Sequence, residues 1–214
     1  MKQHPLQLRD VGMDFPNGAP MLRQVSLSLA YGAYALTGIN GAGKSTFLTM
    51  CAGIVAPVQG DILIAGHSLK TQTLQAKSKL GFMPDQPCVY PFLTGESYLK
   101  LIASCKRLPR LDDLDELLYR LSLADKLHLR FQAMSLGMQR KFMLVASLMG
   151  DPEVVLLDEP INGLDQAAVA CLSTLLRQLA DRKVILASSH EPPFIEDIKA
   201  TVLRLDQQTI AHVN

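Results

Sequence analysis

The chain contains few cysteines, and none of them is close to another in the sequence. The four are Cys51, Cys88, Cys105 and Cys171, with no C-x-x-C pair among them. Disulfide frameworks and zinc sites depend on closely spaced cysteines. We therefore expect neither kind of site, and we expect reduced thiols in a cytoplasmic protein.

Long apolar segments and an excess of basic residues are also lacking. The first ten residues, MKQHPLQLRD, do not contain the apolar stretch of a signal peptide, and the strongest apolar run, FMLVASLMG from Phe142, is too short to span a bilayer. The 21 basic and 20 acidic residues give a formal net charge of +1, whereas nucleic-acid-binding domains usually carry a basic patch. We expect a soluble or membrane-peripheral protein that does not bind nucleic acid.

Alternating and continuous apolar runs predict the strands of an α/β fold. The segments LQLRDVGMDF and MLRQVSLSLA alternate apolar and polar residues, as half-buried antiparallel strands do. The run EVVLLDEP is continuously apolar before its acidic end, as expected of a strand buried on both faces. Further strands are predicted in AYALTGI, GDILIAG, KLGFMPD and KVILASSH, and a final β-hairpin in TVLRLDQQTIAHV.

Helical spacing dominates the region between Thr94 and Gly150. Four leucines follow the i, i+3, i+4, i+7 pattern of one helix face, with Asp112 or Asp113 placed to cap the helix: Leu114, Leu117, Leu118 and Leu121. Other helices are predicted in STFLTMCAGI and at residues 166–180. The predicted fold is one α/β domain over residues 1–214. It has a mostly parallel sheet, an N-terminal antiparallel β subdomain and an inserted α-helical subdomain roughly at 94–150.

The segment GINGAGKST fits the phosphate-loop pattern G-x-x-x-x-G-K-[ST] between a predicted strand and a predicted helix. Glycines allow backbone N–H groups to turn inward around phosphates, because no Cβ opposes the positive φ values this requires. Lys44 brings a positive charge to the β- and γ-phosphates, and the Ser45 hydroxyl is a ligand for Mg²⁺. We therefore predict a P-loop NTPase core that binds a nucleoside triphosphate through Gly38, Asn40, Gly41, Ala42, Gly43, Lys44, Ser45 and Thr46.

Two adjacent carboxylates end the strand predicted in EVVLLDEP. Ligands bind at the carboxyl edge of an open parallel sheet, so Asp158 and Glu159 are predicted to emerge beside the phosphate loop. Asp158 suits a contact with Mg²⁺, and Glu159 is placed to orient or deprotonate the water that attacks the γ-phosphorus. His190 ends the next apolar strand at the same edge, where we predict a γ-phosphate contact. The alternative is that all three are ordinary polar residues at strand ends.

Five motifs taken together resemble the nucleotide-binding domain of an ABC transporter. In chain order they are GINGAGKST, SLGMQRK, VVLLDEP, NGLD and SSH, and the resemblance covers nearly the whole chain. It implies an ATPase subunit of a bacterial exporter, on the cytoplasmic face of the cell membrane, that uses ATP and Mg²⁺. Its implied partners are a separate multi-spanning membrane permease and a second ATPase subunit, either an identical copy or a paralogue.

The resemblance also implies roles for residues outside the phosphate loop. In this family two nucleotide-binding domains close head to tail, so Ser135 and Gly137 of one copy would meet the γ-phosphate held by the other, at a helix start that favours anions. Asp165 of NGLD would link the two sites across the interface. Phe15 occupies the place of an adenine-stacking aromatic, and a core phenylalanine is the competing interpretation.

Two motifs depart from the family pattern. The signature loop usually reads L-S-G-G-Q, and here Met134, Leu136 and Met138 replace the leucine, the first glycine and the glutamine. In GFMPDQP the family places a glutamine that reaches Mg²⁺. Either Asp85 takes that place as a shorter, harder ligand, or Gln86 does if the loop shifts by one residue.

Two other functions compete with the exporter subunit. One is a soluble ABC ATPase without a membrane partner, although the basic arms, coiled coils and zinc modules of such proteins are not evident here. The other is an ATP-binding regulatory half of an asymmetric pair, which the altered signature loop would suit. For the exporter subunit, the family resemblance implies that the segment VYPFLTGESYL forms the groove that receives a helix of the permease.

Overall fold

Two β-sheets and the helices packed on them make up the protein, represented by a computed structural model. The structure describes residues 4–15, 18–108, 114–206 and 208–213. Its strands are β1 (Leu6–Asp14), β2 (Pro20–Leu29), β3 (Gly32–Thr37), β4 (Gln59–Ile64), β5 (His67–Ser68), β6 (Leu80–Met83), β7 (Val154–Leu157), β8 (Val184–Ser188), β9 (Thr201–Asp206) and β10 (Thr209–Val213). Its α-helices are α1 (Lys44–Cys51), α2 (Thr73–Ser78), α3 (Gly95–Lys106), α4 (Asp115–Arg120), α5 (Leu136–Leu148), α6 (Gln166–Leu179) and α7 (Pro192–Asp197).

The first sheet is antiparallel, with the strand order β2–β1–β4–β5. Along the second half of β2, Val25, Leu27 and Leu29 are buried, while Ser26 and Ser28 between them are exposed. Because successive side chains of a strand point to opposite faces, this alternation places one face on the core and the other in solvent. The predicted half-buried antiparallel strands are confirmed.

The second sheet has the order β10–β9–β3–β8–β7–β6. Its neighbours from β9 to β6 pair in parallel, and β10 pairs antiparallel with β9 as the predicted terminal hairpin. Every residue of β7 and β8 is buried, which explains why both read as continuous apolar runs. Apolar residues pack on both faces: Phe47 of α1 lies in the core shared with the first sheet, and Phe142 of α5 lies in the core on the opposite side.

Helices α3, α4 and α5 occupy the region predicted to be helical, with two short 3₁₀ turns at Ala124–Lys126 and Phe131–Ala133. The leucine stripe is confirmed, because Leu114, Leu118 and Leu121 are buried and Leu117 is partly buried. Asp112 and Asp113, predicted as helix caps, lie outside the described residues. Within the described part of the chain, no helix is long and apolar enough to cross a membrane.

Candidate nucleotide-binding site

The carboxyl ends of three neighbouring parallel strands meet at one edge of the second sheet. β3 ends at Thr37 and leads into the phosphate loop, β7 ends at Leu157 just before Asp158, and β8 ends at Ser188 shortly before His190. The strand order places β8 between β3 and β7. Three segments far apart in the sequence therefore come together, as a parallel sheet requires.

At two positions of the phosphate loop, a residue larger than glycine would clash with neighbouring atoms. Gly43 has a φ of 97°, and a Cβ there would lie 2.6 Å from Sδ of Met21. A Cβ on Gly38 would lie 2.7 Å from the carbonyl oxygen of Leu205. A side chain on Gly38 would collide with backbone, and one on Gly43 would strain a positive φ and push Met21 aside, so the glycine pattern matches the backbone path that a phosphate-binding loop needs.

Lys44 is the first residue of α1 and is 9% exposed. Its Nζ donates hydrogen bonds to the carbonyl oxygens of Gly38 at 3.1 Å and Ile39 at 3.4 Å, which fold the side chain back over the loop. No side chain in the described residues caps α1, so its first N–H groups keep their hydrogen-bonding capacity. The lysine and the helix start together form a positively polarised site suited to an anion.

Asp158 is buried and held by its neighbours on both sides. Its N–H donates to the carbonyl oxygen of Met83 at 2.8 Å, and its Oδ1 accepts a hydrogen bond from the Ser188 hydroxyl at 2.6 Å. Asp158 is 3% exposed and Ser188 is fully buried. Since a buried carboxylate needs donors to offset its desolvation, Ser188 fixes this carboxylate at the sheet edge.

Glu159 has an unusual backbone that side chains hold in place. Its φ is 46°, a region that residues with a Cβ seldom occupy. Its N–H donates to Oγ of Ser188 at 2.8 Å, and its carbonyl oxygen accepts from Nη2 of Arg140 and from the Asn162 N–H at 3.2 Å. Strained backbone conformations persist where several contacts hold them in place, and they are often found at functional sites.

The Glu159 carboxylate lies next to His190. The distance from Nε2 of His190 to Oε1 of Glu159 is 3.6 Å, and the glutamate side chain is 19% exposed. Burial raises the pKa of the Glu159 carboxyl above its ordinary value, whereas the positive charge of Lys44, and that of the His190 imidazole when it is protonated, act to lower this pKa. The Glu159 carboxylate, which can accept a proton, therefore lies beside the His190 imidazole in the site.

A cleft of about 640 Å³ lies between these segments. It is lined by Phe15, Asn40, Gly41, Gly43, Lys44, Ser45, Thr46, Glu159, Asn162, His190 and Glu191. All of these except Asn162 and Glu191 were predicted from the sequence as site residues. Phe15 lines the cleft and also packs against the core, and its stacking on adenine stays a prediction.

The remaining predicted residues do not line this cleft. They are Gly38, Ala42, Asp85, Gln86, Ser135, Gly137, Asp158 and Asp165. Gly38 and Ala42 belong to the phosphate loop itself, and Asp158 is buried beside Glu159. Three others, Ser135, Gly137 and Asp165, are the ones implied to act on a second copy of the chain.

Ser135, Gly137 and Asp165 each have a partner within the chain. Oγ of Ser135 caps α5 by accepting the Met138 N–H at 3.2 Å. A Cβ on Gly137 would lie 2.6 Å from the carbonyl oxygen of Gly163, so glycine is needed where α5 meets the NGLD turn. Asp165 caps α6, and its Oδ2 lies 3.1 Å from Nζ of Lys141 on α5. These contacts join the signature loop to the NGLD turn.

Asp85 and Gln86 follow β6 and contact each other. Nε2 of Gln86 donates to Oδ2 of Asp85 at 2.9 Å, and Oδ1 of Asp85 lies 3.2 Å from Nη1 of Arg140. The same Nη1 also donates to the Asp85 carbonyl oxygen. Both carboxylate oxygens of Asp85 therefore have a donor within the chain.

Four residues at the site were missed from the sequence: Arg140, Asn162, Ser188 and Glu191. Ser188 belongs to the SSH motif, but its bonds to Asp158 and Glu159 depend on how β7 and β8 pair. Arg140 could have been found, because it precedes the apolar run from Phe142 to Ser147 on the buried part of α5. A cation in such a position needs acceptors from elsewhere.

The residues present fit a nucleoside triphosphate with Mg²⁺. The glycine loop, Lys44 and the uncapped start of α1 suit phosphate oxygens. No group of three or more His, Cys, Asp or Glu side chains in the described residues is placed to hold a metal alone. Mg²⁺ usually binds one or two protein oxygens together with substrate phosphates, and the exposed Ser45 hydroxyl and the Asp158 carboxylate are oxygens of this kind.

Comparison with known proteins defines the class. The ABC transporter family model matches residues 22–162. An uncharacterized ABC transporter ATP-binding protein of Bacillus subtilis, YhcH, is 31% identical over 188 residues, which cover 86% of this chain and 61% of that protein. A solved ATP-binding subunit of an ABC transporter superposes with a TM-score of 0.90 at 27% identity, covering 98% of this chain and 89% of the other. A dimeric ATP-binding cassette in a post-hydrolysis state with ADP and Pi gives a TM-score of 0.86 at 20% identity, covering 98% of both chains.

The fold and site are those of a P-loop NTPase with a mostly parallel sheet. The chain belongs to the ABC transporter family and is a nucleotide-binding domain of the ABC ATPase type. It spans 61% of the length of its Bacillus subtilis relative.

Proposed function

We propose that this chain hydrolyses ATP to power a membrane exporter, as one of two copies that close head to tail around the nucleotide. The observation that carries the proposal is the convergence of Lys44, Glu159 and His190 on one cleft at the sheet edge. A lysine for the phosphates, a carboxylate for the attacking water and an imidazole for the γ-phosphate are the groups that phosphoryl transfer to water requires.

Binding of ATP is assigned to the phosphate loop. Its backbone and Lys44 would hold the β- and γ-phosphates, and the start of α1 would add its dipole. Phe15 at the rim of the cleft would stack on the base. Mg²⁺ would be held by Ser45 and Asp158, and when bound it would supply positive charge to the phosphate oxygens.

Hydrolysis is assigned to Glu159 and His190. The Glu159 carboxylate would orient the attacking water and accept its proton, and the raised pKa of this carboxyl favours that role. His190 lies 3.6 Å from the same carboxylate and would contact the γ-phosphate. Ser188 holds the Glu159 N–H, which fixes the backbone position from which the carboxylate would act.

A second ATPase subunit would complete the site. Ser135 caps a helix start on the protein surface and does not line the cleft of its own chain. A helix N-terminus is an anion site, and in a head-to-tail dimer it would face the γ-phosphate bound by the other copy. Gly137 and Asp165 lie in the same surface region, tied to each other through Gly163 and Lys141.

The exposed aromatic pair Tyr90 and Phe92 supports a membrane partner. Their rings stack with centroids 5.4 Å apart, and the side chains are 66% and 63% exposed. They lie between the Asp85 loop and α3, where the permease helix is expected to dock. Exposed aromatic clusters are characteristic of protein interfaces. The chain would thus work peripherally at the cytoplasmic face of the membrane.

The test is Mg²⁺-dependent phosphate release by the purified chain, alone and with its Glu159→Gln variant. We expect the variant to lose most of the activity and to accumulate as an ATP-bound dimer in light scattering. Glu96→Gln, an exposed acid of α3 paired with Lys100, is the matched control and should behave like the wild type. A wild-type chain that binds MgATP and releases no phosphate would refute the hydrolytic role, and a variant that stays monomeric would refute the homodimer.

A further inference from the structure

The largest fully buried side chain in the described residues is a cation, Arg140. It belongs to α5, which begins at the signature loop, and it is 1% exposed. A buried guanidinium is unfavourable unless hydrogen bonds and an opposite charge offset its desolvation. Its neighbours on α5 from Phe142 to Ser147 are also buried, so the arginine needs partners from other segments.

Arg140 contacts two loops that leave the carboxyl edge of the sheet. Its Nη1 donates to the carbonyl oxygen of Asp85 and lies 3.2 Å from Oδ1 of the same residue. Its Nη2 donates to the carbonyl oxygen of Glu159. These partners are 55 and 19 positions away in the sequence and follow β6 and β7. The Arg140 side chain therefore joins α5, called the signature helix because it begins at the signature loop, to both of these loops.

The contact with Glu159 acts on the strained residue of the site. Glu159 has a φ of 46°, and the two ends of its backbone are held separately. The N–H is held by Ser188, and the carbonyl oxygen by Arg140 and the Asn162 N–H. Removing the guanidinium would take away one of the bonds that maintain this conformation, and the carboxylate would lose its fixed direction.

The contact with Asp85 gives that carboxylate a role other than metal binding. Oδ1 faces Arg140, and Oδ2 accepts from Gln86 at 2.9 Å. The planar fork of arginine can serve acceptors from two segments at once, which a lysine ammonium on a flexible stem does less well. Asp85 is thus the counter-ion that keeps the buried arginine in place.

We propose that Arg140 is a positioning residue for ATP hydrolysis, clamping the Glu159 peptide and the Asp85 loop to the signature helix. The inference rests on the proposed function, because it assigns Arg140 to the same hydrolytic site. It predicts that loss of the clamp lowers kcat while ATP still binds, since the hydrogen bonds that Arg140 makes within the described residues go to Asp85 and Glu159 rather than to the phosphate loop.

The test is a double-mutant cycle on the full chain with Arg140→Lys, Asp85→Asn and the combined variant. Arg177→Lys, an exposed arginine of α6, is the control for a loss of arginine at the surface. Measured quantities are kcat, the KM for MgATP, the Mg²⁺ concentration for half-maximal rate and the ATP affinity. We expect each single variant to lower kcat on the order of 10- to 100-fold, the effect of misplacing a reacting group. KM, ATP affinity and the Mg²⁺ midpoint should change less than about twofold.

The combined variant separates the clamp from the alternatives. If Asp85 acts through Arg140, the combined loss in kcat is close to that of either single variant. If Asp85 is instead an independent metal ligand, the losses multiply and Asp85→Asn raises the Mg²⁺ midpoint, which would overturn the proposal. Full kcat in Arg140→Lys would overturn it as well.

Separate measurements control for misfolding of the variants and for failure of the proposed function itself. Circular dichroism and ATP affinity show whether each variant folds. If Arg140→Lys does not fold, the test rests on Asp85→Asn, because asparagine keeps the side-chain volume and the backbone carbonyl of Asp85. A normal kcat in a folded Asp85→Asn then contradicts the clamp. A wild-type chain without ATPase activity refutes the proposed function itself, whereas an active wild type with an active, folded Arg140→Lys refutes only the role of Arg140.

Discussion

The Ser188 hydroxyl donates a 2.6 Å hydrogen bond to Oδ1 of Asp158. The hydroxyl oxygen of Ser188 in turn accepts a hydrogen bond from the N–H of Glu159 at 2.8 Å. One buried hydroxyl at the end of β8 therefore orients two adjacent carboxylate residues at the end of β7. Because the residues proposed for metal binding and for hydrolysis share this hydroxyl, the two functions depend on the pairing of β7 with β8.

Replacement of Ser188 by alanine should damage the site more than the fold. The variant leaves a buried carboxylate oxygen and a backbone N–H without their partner, which lowers the free energy of unfolding by roughly 1–3 kcal/mol. We expect kcat for ATP hydrolysis to fall by more than about tenfold, because Glu159 loses the bond to its N–H. Denaturant unfolding and steady-state phosphate release measure the two effects.

Ser173 provides the matched control. It is also buried, and its Oγ has no hydrogen-bond partner in the described part of the structure. Ser173→Ala should therefore be neutral or stabilising and should keep full activity. Equal losses of stability and activity in the two variants would show that Ser188 has no special role at the site.

Lys44→Ala should abolish most ATP binding. The lysine is buried against the loop and supplies the positive charge for the β- and γ-phosphates. Loss of one charged partner weakens binding by about 2 kcal/mol or more, at least roughly 30-fold. Titration calorimetry with ATP measures this change, and Lys100→Ala, an exposed lysine of α3, is the control. Unchanged affinity in Lys44→Ala would contradict the assignment of the phosphate loop.

Lys106 at the end of α3 should make stability depend on alkaline pH. Its Nζ donates to the carbonyl oxygens of Met149 at 2.7 Å and Leu80 at 3.2 Å. Burial, with a smaller contribution from the charge of Lys183, lowers the pKa of Lys106 from 10.5 to about 8. Between these two values the unfolded chain binds more protons than the folded one, so this group makes the free energy of unfolding rise with pH in that window.

The measurement is the free energy of unfolding of the wild type and of Lys106→Met between pH 7 and pH 10, in steps. The difference, wild type minus variant, should be constant below about pH 8 and should increase above it. Methionine keeps the apolar stem and removes the titrating group. Parallel profiles over the whole range would show that Lys106 keeps an ordinary pKa in the folded protein.

The sequence predicted those features that depend on local pattern. The glycines and Lys44 of the phosphate loop form a contiguous motif, and the continuous apolar run of β7 requires burial on both faces. The structure brings the predicted residues Lys44, Glu159 and His190 to one cleft because their strands are parallel neighbours. For these residues, sequence order and the rule for parallel sheets were sufficient.

Contacts between distant segments could not be predicted in the same way. Ser188 and Asp158 are 30 positions apart, and the bond depends on the register between β7 and β8. Arg140 lies 55 positions from Asp85, and although the apolar run after it indicates burial, nothing local indicates which acceptors it meets. The positive φ of Glu159 is likewise set by its partners, because no glycine in the sequence marks the position.

The most direct test of a nucleotide site formed by two copies of the chain mixes two variants, each of which should be inactive alone. Lys44→Ala removes the phosphate-loop charge, and Ser135→Asp keeps a good helix cap for the Met138 N–H while placing a negative charge where the γ-phosphate of the other copy would lie. Neither variant should hydrolyse ATP alone. In a head-to-tail mixed dimer, one of the two sites has an intact phosphate loop and an intact signature loop.

The measurement is phosphate release by an equimolar mixture of the two variants. Random pairing should restore roughly a quarter of the wild-type rate, because half of the dimers are mixed and each has one intact site. Recovery of that size is the result we predict. A mixture as inactive as its separate components would contradict a site shared between two copies of the chain.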